Sequence, residues 1–127
     1  MALRTPLGRV RGLGAAKEGV EHWWMVRLTS IALVPLTIWF VASIVALAGA
    51  DYAEVVAWLR SPVVAVTMVL LVGITFHHTQ AGLQVVIEDY VHDEAAKIAA
   101  IIVVKAASLV LGLAGIFAVL KIAFGGL

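Results

Sequence analysis

Residues 76–92 read FHHTQAGLQVVIEDYVH. They place two adjacent histidines, a threonine and two glutamines inside an otherwise apolar run that ends on a carboxylate and a tyrosine. What such a mixture means depends on the solvent around it, and composition supplies the solvent. Of 127 residues, 63% are hydrophobic and 13% charged, and the mean hydropathy is +1.07. A soluble domain is roughly 45–50% apolar and 25% charged. The chain reads as an all-α membrane protein, and the histidines lie in a helix that crosses lipid.

At about 20 apolar residues per crossing, the length accommodates three spans with short connections in one domain, residues 1–127. The quoted stretch closes the middle span, which runs from about 62 to 87. Before it, a first span runs from about 28 to 48, with Trp23 and Trp24 as an interfacial belt ahead of it and Pro35 as a kink. After it, a third span runs from about 98 to 124, with Lys105 near its start, where a long stem snorkels to the interface. Residues 1–26 form a polar arm. The sequence GADYAEVVAWLRSP reads as the first loop, with Trp58 a belt residue on the other side, and EDYVHDEAAK reads as the second.

Basic residues set the orientation, because acids contribute little to it. Arg4, Arg9, Arg11, Lys17 and Arg27 precede or open the first span, whereas the first loop holds only Arg60 and the C-terminal tail only Lys121. The expectation is a multi-pass protein of the bacterial inner membrane with its N-terminus in the cytoplasm. An acid-free basic start also fits a mitochondrial transit peptide, so the mitochondrial inner membrane is the alternative. The triplet ALA at 46–48 has the form of a signal cleavage site, but the arm is too long and the apolar run exceeds a signal peptide's 7–15 residues. A net charge of +1 gives no footprint for nucleic acid, and the absence of cysteine removes disulfides, thiolate catalysis and cysteine-held clusters.

An ionisable side chain within a span is a functional-site hypothesis by default. His78 lies 12 residues before Tyr90, roughly 18 Å along a helix and so near mid-bilayer if Tyr90 marks the inner surface. At about 100° per residue, His78, Gly82, Val85 and Asp89 share a stripe. Gly82 removes a side chain one turn from His78, where a flat cofactor or another helix would press close. Three readings stand. His78 is a packing histidine bonded to a Ser or Thr of a neighbouring helix, a haem ligand, or part of a proton or ion path with Gln80 and Gln84. His77 points about 100° away and cannot share one metal with His78 from the same helix. Ser108, Gly112 and Gly115 are the small residues that let a membrane helix approach closely.

The pattern His78-xxx-Gly82 followed by Asp89-Tyr90, with Arg27-Leu-Thr-Ser opening the first of three spans, resembles the small hydrophobic anchor subunits of succinate dehydrogenase, respiratory complex II. HWWMVRLTSIALVPL is most similar to the alphaproteobacterial and mitochondrial branch. That resemblance implies a helix bundle built jointly with a larger cytochrome b anchor subunit and bound to the iron-sulfur and flavoprotein subunits. It implies that His78 is an axial ligand of a shared haem b, and that Arg27 and, in a different register, His22 meet a haem propionate. It also implies that Tyr90 bonds a ubiquinone oxygen, with Asp89 beside it. The chemistry of these side chains agrees: a guanidinium fork suits a carboxylate, and a phenol donates to a quinone oxygen. The chain has no nucleotide fingerprint, so the resemblance makes it a non-catalytic subunit. A quinol:fumarate reductase anchor and a non-redox three-helix transporter or channel subunit are the competing classes.

Overall fold

The computed structural model describes residues 5–10 and 16–125, the side chains at 9 and 16–18 excepted. Arg4 and Arg11, and the side chains of Arg9 and Lys17, on which part of the orientation argument rests, lie outside the described residues. Five helices follow in order: α1 (Pro6–Val10), α2 (Ala16–Ala46), α3 (Tyr52–Arg60), α4 (Pro62–Tyr90) and α5 (Glu94–Ala123). Three of them, within Gly19–Ala46, Pro62–Tyr90 and Glu94–Ala123, are long and apolar enough to cross a membrane.

Local chemistry sets the ends. The chain leaves α2 through Gly49, whose φ of 84° is open to glycine and strained for residues with a Cβ. A capping box opens α3: Asp51 Oδ1 accepts from the Glu54 amide at 2.9 Å, and Glu54 Oε2 accepts from the Asp51 amide at 2.9 Å. Pro62 occupies the first turn of α4, where its missing N–H removes no bond. Asp93 Oδ2 accepts from the Ala96 amide at 2.8 Å to start α5.

Two expectations change here. The polar arm was placed at 1–26, yet α2 is already helical from Ala16 and continues unbroken through Pro35. Polarity marks where lipid ends, and a helix is free to continue into water. The first loop likewise holds a helix, α3, whose Trp58 stacks on Trp39 of α2 with ring centroids 5.8 Å apart and an interplanar angle of 20°. The second loop shortens to three residues, 91–93. Lys105 consequently sits 11 residues into α5, roughly 16 Å from its start and deeper than a span beginning at 98 implied.

The middle crossing helix α4 packs on both α2 and α5, while α2 and α5 make no close approach to each other among the described residues. Such a row of three has almost no interior. Ala65, Ala81, Val119 and Thr29 are buried, as is Gly112. Helices satisfy backbone polar groups internally, and some hydroxyls do likewise: Ser30, Ser43 and Thr67 each donate to the carbonyl four residues back, at 2.8, 2.8 and 2.7 Å.

Candidate functional site

The adjacent histidines of α4 serve different seams. His78 faces α2, where its Nδ1 lies 2.8 Å from Thr29 Oγ1. Thr29 is 8% exposed and is the buried polar residue of the described chain. Its hydroxyl also lies 2.7 Å from the Met25 carbonyl oxygen and 3.0 Å from that of Val26. No hydrogen bond reaches the other ring nitrogen of His78, Nε2, nor is that atom among the buried unpaired ones. It therefore keeps some access to the surface of the row, on a half-buried residue. One turn further on, a Cβ added to Gly82 would meet nothing within 4 Å. The absence of a side chain there is not explained by close packing within this chain, and the stripe His78, Gly82, Val85, Asp89 forms an open wall.

His77 instead lines a groove of about 350 Å³ between α4 and α5, with Gln80, Lys105, Ser108 and Gly112. Gln80 donates to Gln84 Oε1 at 3.1 Å and Gln84 to Glu88 Oε1 at 2.9 Å, a ladder along one face of α4. His78 is not part of it. His78 thus bonds to Thr29 while the glutamines, its companions in the polar-path reading, bond along α4 to one another and to Glu88.

At the end of the row where α2 begins and α4 stops, the expected site residues divide again. Tyr90, the last residue of α4, is 78% exposed and has no hydrogen-bond partner among the described residues; Asp89 beside it is exposed as well. Both are presented outward. Of the nearby acids, Asp93 is occupied in capping α5, and Glu94 pairs with Lys97 at 3.0 Å. On α2, His22 lies seven residues before Thr29, so both fall on nearly the same face. The His22 Nε2 atom is buried without a hydrogen-bond partner, which a native structure rarely tolerates unless something else satisfies it. Arg27 is not brought to this face. Two residues from Thr29, it projects about 200° away, and its guanidinium lies 4.4 Å over the Trp23 ring.

Sequence reasoning singled out His78, His22, Arg27, Tyr90 and Asp89 and missed Thr29. It anticipated a Ser or Thr on a neighbouring helix as one reading of His78 but named no partner. The two residues are 49 apart in sequence, and only the register of α2 against α4 joins them.

Comparison with known proteins identifies the family. The family model described as "Succinate dehydrogenase/Fumarate reductase transmembrane subunit" matches residues 1–114. The succinate dehydrogenase hydrophobic membrane anchor subunit of Rickettsia bellii is 31% identical over 116 residues, covering 91% of this chain and 93% of that protein. The Paracoccus denitrificans subunit of the same name is 30% identical over 86 residues, 68% of this chain and 67% of its own. The membrane anchor subunit of Reclinomonas americana is 27% identical over 96 residues, 70% and 77% respectively. No solved structure matches the chain. A family match over nearly the whole chain, with relatives similar along most of their length, leads to one conclusion: this multi-pass membrane protein belongs to the succinate dehydrogenase and fumarate reductase transmembrane subunits, on the side of the succinate dehydrogenase membrane anchors.

Proposed function

We propose that this anchor binds haem b jointly with a larger cytochrome b anchor subunit, holds the iron-sulfur and flavoprotein subunits at the membrane, and forms part of the site where ubiquinone is reduced. The observation that carries the haem reading is the state of His78: Nδ1 is engaged by Thr29 while Nε2 is open beside the uncovered Gly82. The donor set fits that cofactor. Among the described residues no group of three or more His, Asp or Glu could hold a bare metal ion, whereas a lone imidazole suits a group that brings its own equatorial nitrogens. When bound, haem b supplies a one-electron redox centre. His78 would hold its iron from this side, and the orphaned His22 Nε2 supports a hydrogen bond to a propionate. Arg27 would reach a propionate only by leaving Trp23.

Tyr90 and Asp89 carry the quinone half of the proposal. Reduction of a quinone takes two electrons and two protons. The exposed phenol of Tyr90 is free to donate to a quinone oxygen, and the adjacent carboxylate is placed to pass protons in from water. The relatives' names favour succinate oxidation over fumarate reduction. A reduced-minus-oxidised spectrum of the purified complex tests the haem reading: a low-spin b-type signal is expected, and its absence ends that reading. Tyr90→Phe tests the quinone reading, because it keeps the ring and deletes only the donor. Loss of a hydrogen bond to a partner carrying developing charge is worth roughly 1.5–3 kcal/mol, so quinone turnover should fall about ten- to a hundredfold. Succinate oxidation with an artificial soluble acceptor should be unchanged. Wild-type quinone kinetics would remove Tyr90 from the site.

The basic residues ahead of the first crossing place the N-terminus in the cytoplasm in this proposal. Cysteines at Thr5 and Asp51 should label from opposite sides of the bacterial inner membrane, with Thr5 reached from within. Labelling from one side would overturn the three-crossing orientation.

A further inference from the structure

We infer that Thr29 is a positioning residue for His78: it accepts the Nδ1 proton and so fixes the tautomer and ring plane in which Nε2 offers its lone pair to a cofactor metal. The inference rests on the haem reading proposed above.

A threonine hydroxyl has one proton and two acceptor lone pairs. The Thr29 hydroxyl oxygen lies near three groups, the Met25 carbonyl oxygen at 2.7 Å, the Val26 carbonyl oxygen at 3.0 Å and His78 Nδ1 at 2.8 Å. The proton satisfies one direction, and three other hydroxyls within the described helices point to which. Ser30, Ser43 and Thr67 all give their proton to the carbonyl four residues back, and for Thr29 that carbonyl is the Met25 one, the shortest of its three contacts. With the proton directed along the helix, the oxygen meets Nδ1 with a lone pair. Two lone pairs at 2.8 Å would repel, so Nδ1 carries the hydrogen and donates it. A neutral imidazole has a single ring proton, and Nε2 is left bare.

Burial strengthens the arrangement. Thr29 is 8% exposed, so water does not compete for its oxygen, and a seam with little else buried makes the hydroxyl a main constraint on the ring. Hydrogen bonds to the outer nitrogen of a metal-bound histidine fix its tautomer and raise its basicity, and their loss typically lowers metal affinity 10- to 100-fold. A more basic imidazole favours the more positive iron. Deleting the bond therefore weakens the oxidised form more than the reduced one and raises the reduction potential.

The test is a hydroxyl series in the assembled complex, with readouts independent of turnover. Thr29→Val keeps the shape and removes the hydroxyl, and Thr29→Ser keeps the hydroxyl and removes the methyl. The haem of the Val variant should show a potential raised by about 59 mV for each tenfold change in the oxidised-to-reduced affinity ratio. Its low-spin electron paramagnetic resonance spectrum should be altered, and the Ser variant should have the wild-type values of both. If the Val variant fails to assemble, Thr29→Ala supplies the same deletion without branching. A hydroxyl-free variant whose haem keeps wild-type potential and spectrum overturns the positioning role and leaves the haem reading intact. Equal changes in the Ser and Val variants also overturn it, because they would report packing by the methyl. A wild-type complex with no b-type signal ends both readings at their common premise.

Discussion

The two seams of α4 are built on opposite principles. Toward α5 the contact is steric: a Cβ at Gly112 would stand 3.4 Å from Phe76 Cβ, and one at Gly115 would meet Val72 Cγ1 at 2.9 Å. Small residues on one helix receive large ones from the other, which is how helices associate where lipid offers no hydrophobic drive. Toward α2 the contact is held by a polar bond, Thr29 to His78, and the wall beside it at Gly82 is empty. The α5 seam is tight where the glycines meet Phe76 and Val72, and a groove lined by His77, Gln80 and Lys105 lies beside those contacts. The α2 seam, with its Thr29–His78 bond and the uncovered wall at Gly82, is the one on which the proposed cofactor would sit.

The adjacent histidines give the sharpest way to break this contrast, because one belongs to each seam. If His78 holds the haem iron as proposed, His78→Ala should abolish the low-spin haem signal or convert it to high spin. His77→Ala should leave the low-spin spectrum in place, because His77 lines the α4–α5 groove. The reverse pattern would mean that the seams have been exchanged. Subunit assembly, measured on the same preparations, separates loss of haem from loss of fold.

Leucine at each of two glycines probes the same contrast by volume. At Gly115 it must displace Val72, a stiff branched side chain, and overpacking of this kind is worth about 1–3 kcal/mol. The expected result for Gly115→Leu is a lowered thermal midpoint with the haem spectrum kept in what remains folded. At Gly82 an added Cβ would meet nothing within 4 Å, so a leucine starts into open space. Gly82→Leu should therefore spare the anchor's own stability and lower haem content, because it fills the wall proposed to face the cofactor. Full haem occupancy in that variant would show that the wall faces lipid.

Hydropathy made the three crossings legible, and the spacing of Ser108, Gly112 and Gly115 made the tight seam legible as well, because both are properties of one helix at a time. What escaped was of two kinds. The helix α3 carried a readable signal, Asp51 three residues before Glu54, the pair that forms a capping box. The start of α2 was hidden because the polar, basic residues of 1–26 signal where lipid ends, not where a helix begins. Thr29 differs from both. Its role depends on the register of two helices, which a single sequence leaves open, so nothing before the fold distinguished it from Ser30 next to it. Arg27 is intermediate: Trp23, four residues earlier, offered a ring at helical spacing, and that neighbour holds the guanidinium in the structure.

The smallest expected effect lies on α2 and separates its two faces. His22 shares a face with Thr29 and has a buried, unpartnered Nε2, whereas Arg27 rests over Trp23 on the far side. A positive charge near the iron favours the reduced, less positive state, so a guanidinium on a propionate would raise the potential and its removal would lower it. Arg27 is exposed, and charge in water is screened strongly. Arg27→Leu should accordingly lower the haem potential by only a fraction of the roughly 59 mV that a tenfold affinity change represents for a one-electron centre. His22→Ala deletes a buried, unpartnered nitrogen on the face shared with Thr29, so under the haem proposal it should shift the potential more than Arg27→Leu and loosen haem retention. The decisive quantity is the order of the two shifts. A larger shift from Arg27→Leu would mean that the guanidinium leaves Trp23 in the assembled complex and that both faces of α2, not one, are committed to the cofactor.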